Sequence, residues 1–168
     1  MIELIGAVDL QKYSGQWLEM ARKPAFFQKA CVASKANYTL EFKDGKPILS
    51  VENSCFKENG EQKVSKGSAK VKGERALAVK FSVFMNLFDK TNYEIIYIDT
   101  NYQVALVGSP DKEYLWILSR EILPKEQVEN LLHIAKERGF DTSDIIFDKH
   151  ESADFSPKET QPKKVNLR

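Results

Sequence analysis

From residue 16 to residue 119 the chain alternates short strand-forming runs with turn signals, at a spacing of roughly 8–12 residues. No other feature constrains the fold as strongly. The runs fall at 16–23, 33–42, 48–56, 64–72, 76–84, 93–99, 103–107 and 114–119. Asp44-Gly45, Gly73-Glu74, Thr100-Asn101-Tyr102 and Ser109-Pro110-Asp111 supply turns between them. Alternation is plainest in the fifth run. There Leu77, Val79, Phe81 and Val83 share one face, and Ala76, Ala78, Lys80 and Ser82 share the other. Eight consecutive antiparallel strands can close on themselves, lose both edges and enclose room for one small ligand. A two-sheet sandwich satisfies the same periodicity, which leaves both architectures open.

One helix follows the strands. Val128, Leu131, Leu132 and Ala135 form a single apolar stripe, with Pro124 at the first helical position and Gly139 as the cap. So narrow a stripe suits packing on the outside of a sheet and not a membrane. Ile145-Ile146-Phe147 can add a short ninth strand. The chain then turns polar, so one domain is expected over 1–147 and a disordered tail over 148–168.

Residues able to carry chemistry are few. His133 reads as a helix-surface residue and His150 as part of the tail, and neither accompanies a nucleophile motif. Phosphate-loop, zinc-protease and nucleophile-elbow motifs are all missing, so no catalytic residue, cofactor or metal is expected. A net charge of +1 offers no field to recruit nucleic acid. Cys31 precedes Asp44 by 13 residues and Cys55 follows Gly45 by 10, nearly the same height on one hairpin. A bulge could absorb the offset, which favours a cross-strand disulfide over two buried thiols. Such a bridge implies an oxidising compartment.

Gly15-Gln16-Trp17-Leu18-Glu19-Met20-Ala21-Arg22 resembles the lipocalin signature G-x-W-[YF]-E-[IM]-A-R. Asp99-Thr100-Asn101-Tyr102 is similar to the second lipocalin block, and Arg120 after Leu115-Trp116-Ile117-Leu118-Ser119 is similar to the third. Order and spacing agree over 8–147, and the later blocks look most like bacterial outer-membrane and apolipoprotein D-like lipocalins. Leu18 departs from the pattern, which has an aromatic there. The resemblance implies an all-β fold: an eight-stranded up-and-down antiparallel barrel with one C-terminal α-helix packed outside. It also implies that Trp17 plugs the closed end beneath Arg120, with Gly15 opening the first strand. Function would then be carriage of a fatty acid or lysophospholipid, by a monomer or weak homodimer, in the cell envelope or outside the cell. Residues 1–6 do not read as a secretory signal and no cysteine precedes Val8. A leader or lipid anchor is therefore expected to have been removed or to be absent.

In a barrel of this connectivity the mouth loops are 24–33, 57–63, 84–91 and 110–113. Two carry apolar residues where polar ones are usual: Phe26 and Phe27, and Phe84, Met85, Leu87 and Phe88. They either fold inward as a cap or form a greasy rim for peripheral membrane contact. Candidate lining residues are Met20, Tyr38, Phe81, Phe84, Tyr93, Tyr97, Tyr114 and Trp116, with Tyr114 the first choice for a head group. A packed interior without ligand, a protein-interaction module and a lipocalin-type enzyme are the competing readings.

Overall fold

Strand β1 (Gly15–Arg22) starts an antiparallel meander that continues through β2 (Cys31–Lys43), β3 (Lys46–Lys57) and β4 (Gln62–Val71). β5 (Ala76–Lys80), β6 (Tyr93–Ile98), β7 (Val104–Gly108) and β8 (Leu115–Ser119) complete it. β1 pairs with β2 on one edge and with β8 on the other, so the sheet closes into a barrel and the sandwich is excluded. The computed structural model describes residues 2–82, 86 and 89–150. The β2–β3 hairpin turns at Asp44-Gly45, where both residues take positive φ, as that tight turn requires.

The fifth strand stops at Lys80, short of the expected residue 84. Asn92 accounts for this. Its side chain accepts from the Val79 N–H at 2.8 Å and donates to the Val79 carbonyl at 3.0 Å, taking the partners a longer β6 would have supplied. Residues 83–85 and 87–88 lie outside the described residues.

A short helix, α1 (Leu10–Tyr13), precedes β1 and was not legible as periodicity because it spans barely one turn. The Asp9 carboxylate caps it, accepting from the Gln11 and Lys12 amides at 2.9 and 3.3 Å. The longer helix, α2 (Lys125–Glu137), lies outside the barrel as expected and buries Val128, Leu131 and Ala135. Their partners on the outer sheet face include Leu18, Leu106, Leu115 and Ile117. Pro124 is the N-cap and not the first helical residue.

β9 (Ile146–Phe147) pairs with Ala21 and Arg22 of β1. The next residues carry the pairing onward. Asp148 N–H donates to the Met20 carbonyl at 3.0 Å, and Lys149 N–H to the Val32 carbonyl at 2.7 Å. Direct β1–β2 pairing ends at Leu18 opposite Lys35, so this segment bridges the seam where the two strands diverge. Residues 148–150, assigned to the tail from sequence, therefore pack against the barrel, with the Asp148 side chain and His150 buried.

The cysteines form the expected bridge, Cys31–Cys55, with Cα atoms 5.4 Å apart. A register shift between Cys31 and Ala33 absorbs the offset seen in the sequence. The bond closes a loop with a sequence separation of 24. Replacing both cysteines with serine should therefore cost about 3 kcal/mol, through the freedom regained by the unfolded chain. Urea unfolding of the double variant tests this, and a loss below about 1 kcal/mol would contradict it.

Candidate functional site

The closed end follows from three residues of the signature. Trp17 is fully buried, and its Nε1 donates to the Tyr13 carbonyl at 2.8 Å. The Arg120 guanidinium lies 3.7 Å from the centre of the Trp17 ring. It also donates to the carbonyls of Tyr102 (3.0 Å), Gln16 (2.8 Å) and Lys12 (2.8 Å), sewing three chain segments together. Gly15 has φ +100°, and a Cβ there would stand 3.3 Å from the Arg120 Nη1. Both the backbone and the space call for glycine.

Tyr38, Tyr93 and Phe81 join the interior cluster with Leu49, Val51, Leu77 and Val79. Met20 and Tyr97 do not, and their expected place in the lining is corrected. Met20 is on the opposite face of β1 from Trp17 and packs in the cluster under α2. Tyr97 should share the inward face of Tyr93 by simple alternation. A register shift between Ile95 and Tyr97 turns it outward, beneath the Arg138 guanidinium.

At the mouth, Tyr114 and Trp116 stack with ring centres 5.8 Å apart. Phe27 packs on both, at 5.5 and 6.4 Å, and Phe26 meets Phe27 edge-on at 5.3 Å. Phe26 remains 82% exposed and Phe27 54%. Loop 24–30 thus holds Phe27 against the Tyr114–Trp116 wall while leaving both phenylalanines largely exposed. Gln28 anchors it, accepting from Trp116 Nε1 at 2.8 Å and donating to Glu19 at 2.9 Å. Phe84, Met85, Leu87 and Phe88 lie outside the described residues. A separate apolar crevice of about 190 Å³ opens at the closed end, between Val8, Leu10, Val71 and Leu77, away from these aromatics.

Sequence reasoning missed a buried ionic group beneath that loop. A register shift between Glu19 and Ala21 lets β1 bury both Glu19 and Arg22. Arg22 Nη1 lies 3.2 Å from the Glu19 carboxylate and 3.5 Å from that of Asp148. Its Nη2 donates to the carbonyls of Gln28 and Cys31 at 3.1 and 3.2 Å. His150 Nε2 meets the Glu19 carbonyl, and the Ser34 amide donates to Asp148 at 2.9 Å. Among the described residues no group of three or more His, Cys, Asp or Glu side chains is placed to hold a metal ion.

One guanidinium thus faces two buried carboxylates. Burial first, and the neighbouring Glu19 second, hold the Asp148 carboxyl well above the ordinary carboxylate range. The longer Arg22 contact pulls the other way without prevailing. Because the folded form keeps this proton to higher pH than the unfolded chain, stability is lost as pH rises above about 4 and through the folded value. Burial holds His150 below its ordinary range, which costs stability as pH falls below about 6.5, with or without a carboxyl at position 148. Asp148→Asn keeps an acceptor for Ser34 and removes only the ionisation. Its unfolding midpoint should gain on that of the parent protein as pH rises from 4 to 8. Parallel pH profiles would contradict this.

Family comparisons agree with the geometry. Residues 8–150 match the family described as Lipocalin-like domain. Temperature-induced lipocalin-1 of Arabidopsis thaliana is 37% identical over 153 residues, covering 86% of this chain and 80% of the relative. Outer membrane lipoprotein Blc of Escherichia coli is 32% identical over 149 residues, covering 87% and 81%. Among solved structures, lipocalin 12 from rat epididymis superposes with a TM-score of 0.65 at 11% identity, covering 90% of this chain and 91% of that one. This last likeness concerns the fold alone. With the closed barrel, the outer helix and the Trp17–Arg120 floor all in place, the chain belongs to the lipocalin family, whose members bind small hydrophobic ligands.

Proposed function

We propose that this barrel carries a fatty acid or lysophospholipid, taken up through the aromatic mouth with the chain inward and the polar head near Tyr114. The observation that carries this reading is the pair Phe26 and Phe27, largely exposed, with Phe27 packed against the Tyr114–Trp116 wall and Phe26 against Phe27. Exposed aromatics at the entrance of a closed barrel offer an apolar path from a lipid surface to the interior. Similarity to Blc, an outer membrane lipoprotein, supports a place in the cell envelope, and the Cys31–Cys55 bridge supports an oxidising compartment. Burying about 14 methylenes at ~0.8 kcal/mol each yields on the order of 11 kcal/mol before ordering costs. Those costs leave affinity near the micromolar range, which suits a carrier that must release its cargo.

Mass spectrometry of organic extracts, with displacement of a fluorescent fatty acid, tests the reading. Co-purified lipid displaced at micromolar concentrations supports it. Empty extracts with no probe binding would end it and favour a packed barrel or a protein-interaction module. Replacing Phe26 and Phe27 together with serine should lower association with lipid vesicles by about tenfold while leaving the fold intact. Unchanged vesicle association in a folded variant would remove the mouth from the mechanism.

A further inference from the structure

Three phenols converge inside the lower part of the barrel. Tyr93 Oη hydrogen-bonds to Tyr13 Oη and, at 3.0 Å, to Tyr38 Oη. The groups come from three separate elements: α1 supplies Tyr13, β2 supplies Tyr38 and β6 supplies Tyr93. All three are buried. Each phenol brings one O–H proton, so the trio holds three donors. Two hydrogen bonds consume two of them, whichever way the chain of bonds runs. The third proton has no protein acceptor among the described residues. A buried donor left in this state is unfavourable until an acceptor meets it.

The surroundings specify what kind of acceptor fits. Apolar neighbours dominate, with Trp17 below and Ala36, Val51, Ala69, Leu77 and Val79 in the same cluster, while the Glu19 carboxylate that acts on Tyr38 is engaged by Arg22 and Gln28. Arg120, the cation that acts on Tyr13, is committed to the Trp17 face and to backbone carbonyls. Burial raises the Tyr13 and Tyr93 phenols well above their ordinary range and pushes Tyr38 up to about 12, so this region rejects negative charge. A carboxylate would be driven to protonate or to stay at the mouth. An uncharged oxygen would accept the spare proton without bringing charge into the interior.

We propose that Tyr13, Tyr38 and Tyr93 form a deep subsite for an uncharged oxygen at the inner end of an otherwise apolar ligand. This rests on the reading that the barrel takes up a lipid chain by its apolar end. The preferred ligand is then oxygenated at both ends: an acidic or polar head at the mouth, and a hydroxyl or carbonyl at the far end.

The test compares dodecanoic, tetradecanoic and hexadecanoic acids with their ω-hydroxy counterparts in a displacement titration. A purely apolar floor would disfavour each ω-hydroxy acid by about tenfold or more, because its hydroxyl would be buried unpaired. The subsite should remove that penalty at the chain length that reaches the trio, leaving the hydroxy acid bound at least as tightly. Replacing Tyr13, Tyr38 and Tyr93 together with phenylalanine should restore the tenfold discrimination while plain acids still bind. Should the triple variant fail to fold, Cζ-labelled tyrosine NMR of the unaltered protein supplies the second measurement. The ω-hydroxy acid should shift the three buried resonances in a way the matching plain acid does not. Plain acids binding while every hydroxy acid is rejected, or equal shifts from both ligands, would overturn the subsite alone. Failure of all the acids to bind would overturn the lipid reading and the subsite with it.

Discussion

Replacing Arg22 with methionine should lower the unfolding free energy by about 3–5 kcal/mol at neutral pH, because it leaves the buried Glu19 carboxylate, beside Asp148, without its cation. Arg22 is only 2% exposed and faces Glu19 and Asp148 at 3.2 and 3.5 Å. Methionine fills much of the same volume, so the loss would be electrostatic and not a cavity effect. It would also strand the Gln28 and Cys31 carbonyls, which hold loop 24–30 against the barrel. One control separates these contributions. Adding Glu19→Gln and Asp148→Asn to Arg22→Met should recover most of the stability, since a neutral group needs no counter-ion. Urea unfolding of the single and triple variants is the measurement. A cost below about 1 kcal/mol for the single change would mean that water reaches the group and screens it.

The barrel was legible because its cause is local and repeated. Each strand carries its own alternation and each hairpin its own turn residues, so Leu77 and Val79 could be put on one face before any contact was known, and that face is the inner one. The helix was legible for the same reason, through Val128, Leu131 and Ala135. What escaped depended on single-residue shifts. Two bulges, at Glu19/Ala21 and Ile95/Tyr97, reversed the faces of the residues beyond them. A period-2 pattern cannot announce such a shift, because an inserted residue alters register without altering composition. Tyr97 was misplaced for that reason, and the inward pairing of Glu19 with Arg22 went unseen.

The candidate site was less legible than the fold. Phe26 and Phe27 could be assigned to the mouth because aromatics are conspicuous in a loop, whereas Trp116, on a strand, was expected only as lining. Gln28, which ties them together, looks like any polar loop residue. Asp148 and His150 stand in a run of polar residues that reads as solvated, yet the side chain of Asp148 and the whole of His150 are buried because β9 brings them into the β1–β2 seam. Tyr13 belongs to a one-turn helix marked only by the Asp9 cap. These residues become functional candidates through long-range contacts, such as the separation of 80 between Tyr13 and Tyr93, which no local pattern records.

Trp17→Ala should cost about 3–5 kcal/mol, the usual range for emptying a buried aromatic site. Its effect should concentrate at the closed end. The indole is the surface on which Arg120 lies and against which Tyr13 packs, at 5.3 Å between ring centres. Without it, the Arg120 guanidinium loses its ring partner, and α1 loses the donor that holds the Tyr13 carbonyl. Trp17→Phe keeps a ring under Arg120 but not that donor, and should cost less than half as much. Amide hydrogen exchange gives the local test. The Tyr13 and Ser14 amides, bonded to the Asp9 and Leu10 carbonyls at 2.9 and 3.0 Å, should exchange far faster in Trp17→Ala than amides in the β3–β4 pairing. Uniform acceleration along the chain would mean that Trp17 supports only global stability. Selective loss at Tyr13 and Ser14 would show that Trp17 also positions the phenol which, with Tyr38 and Tyr93, gives the barrel its polar floor.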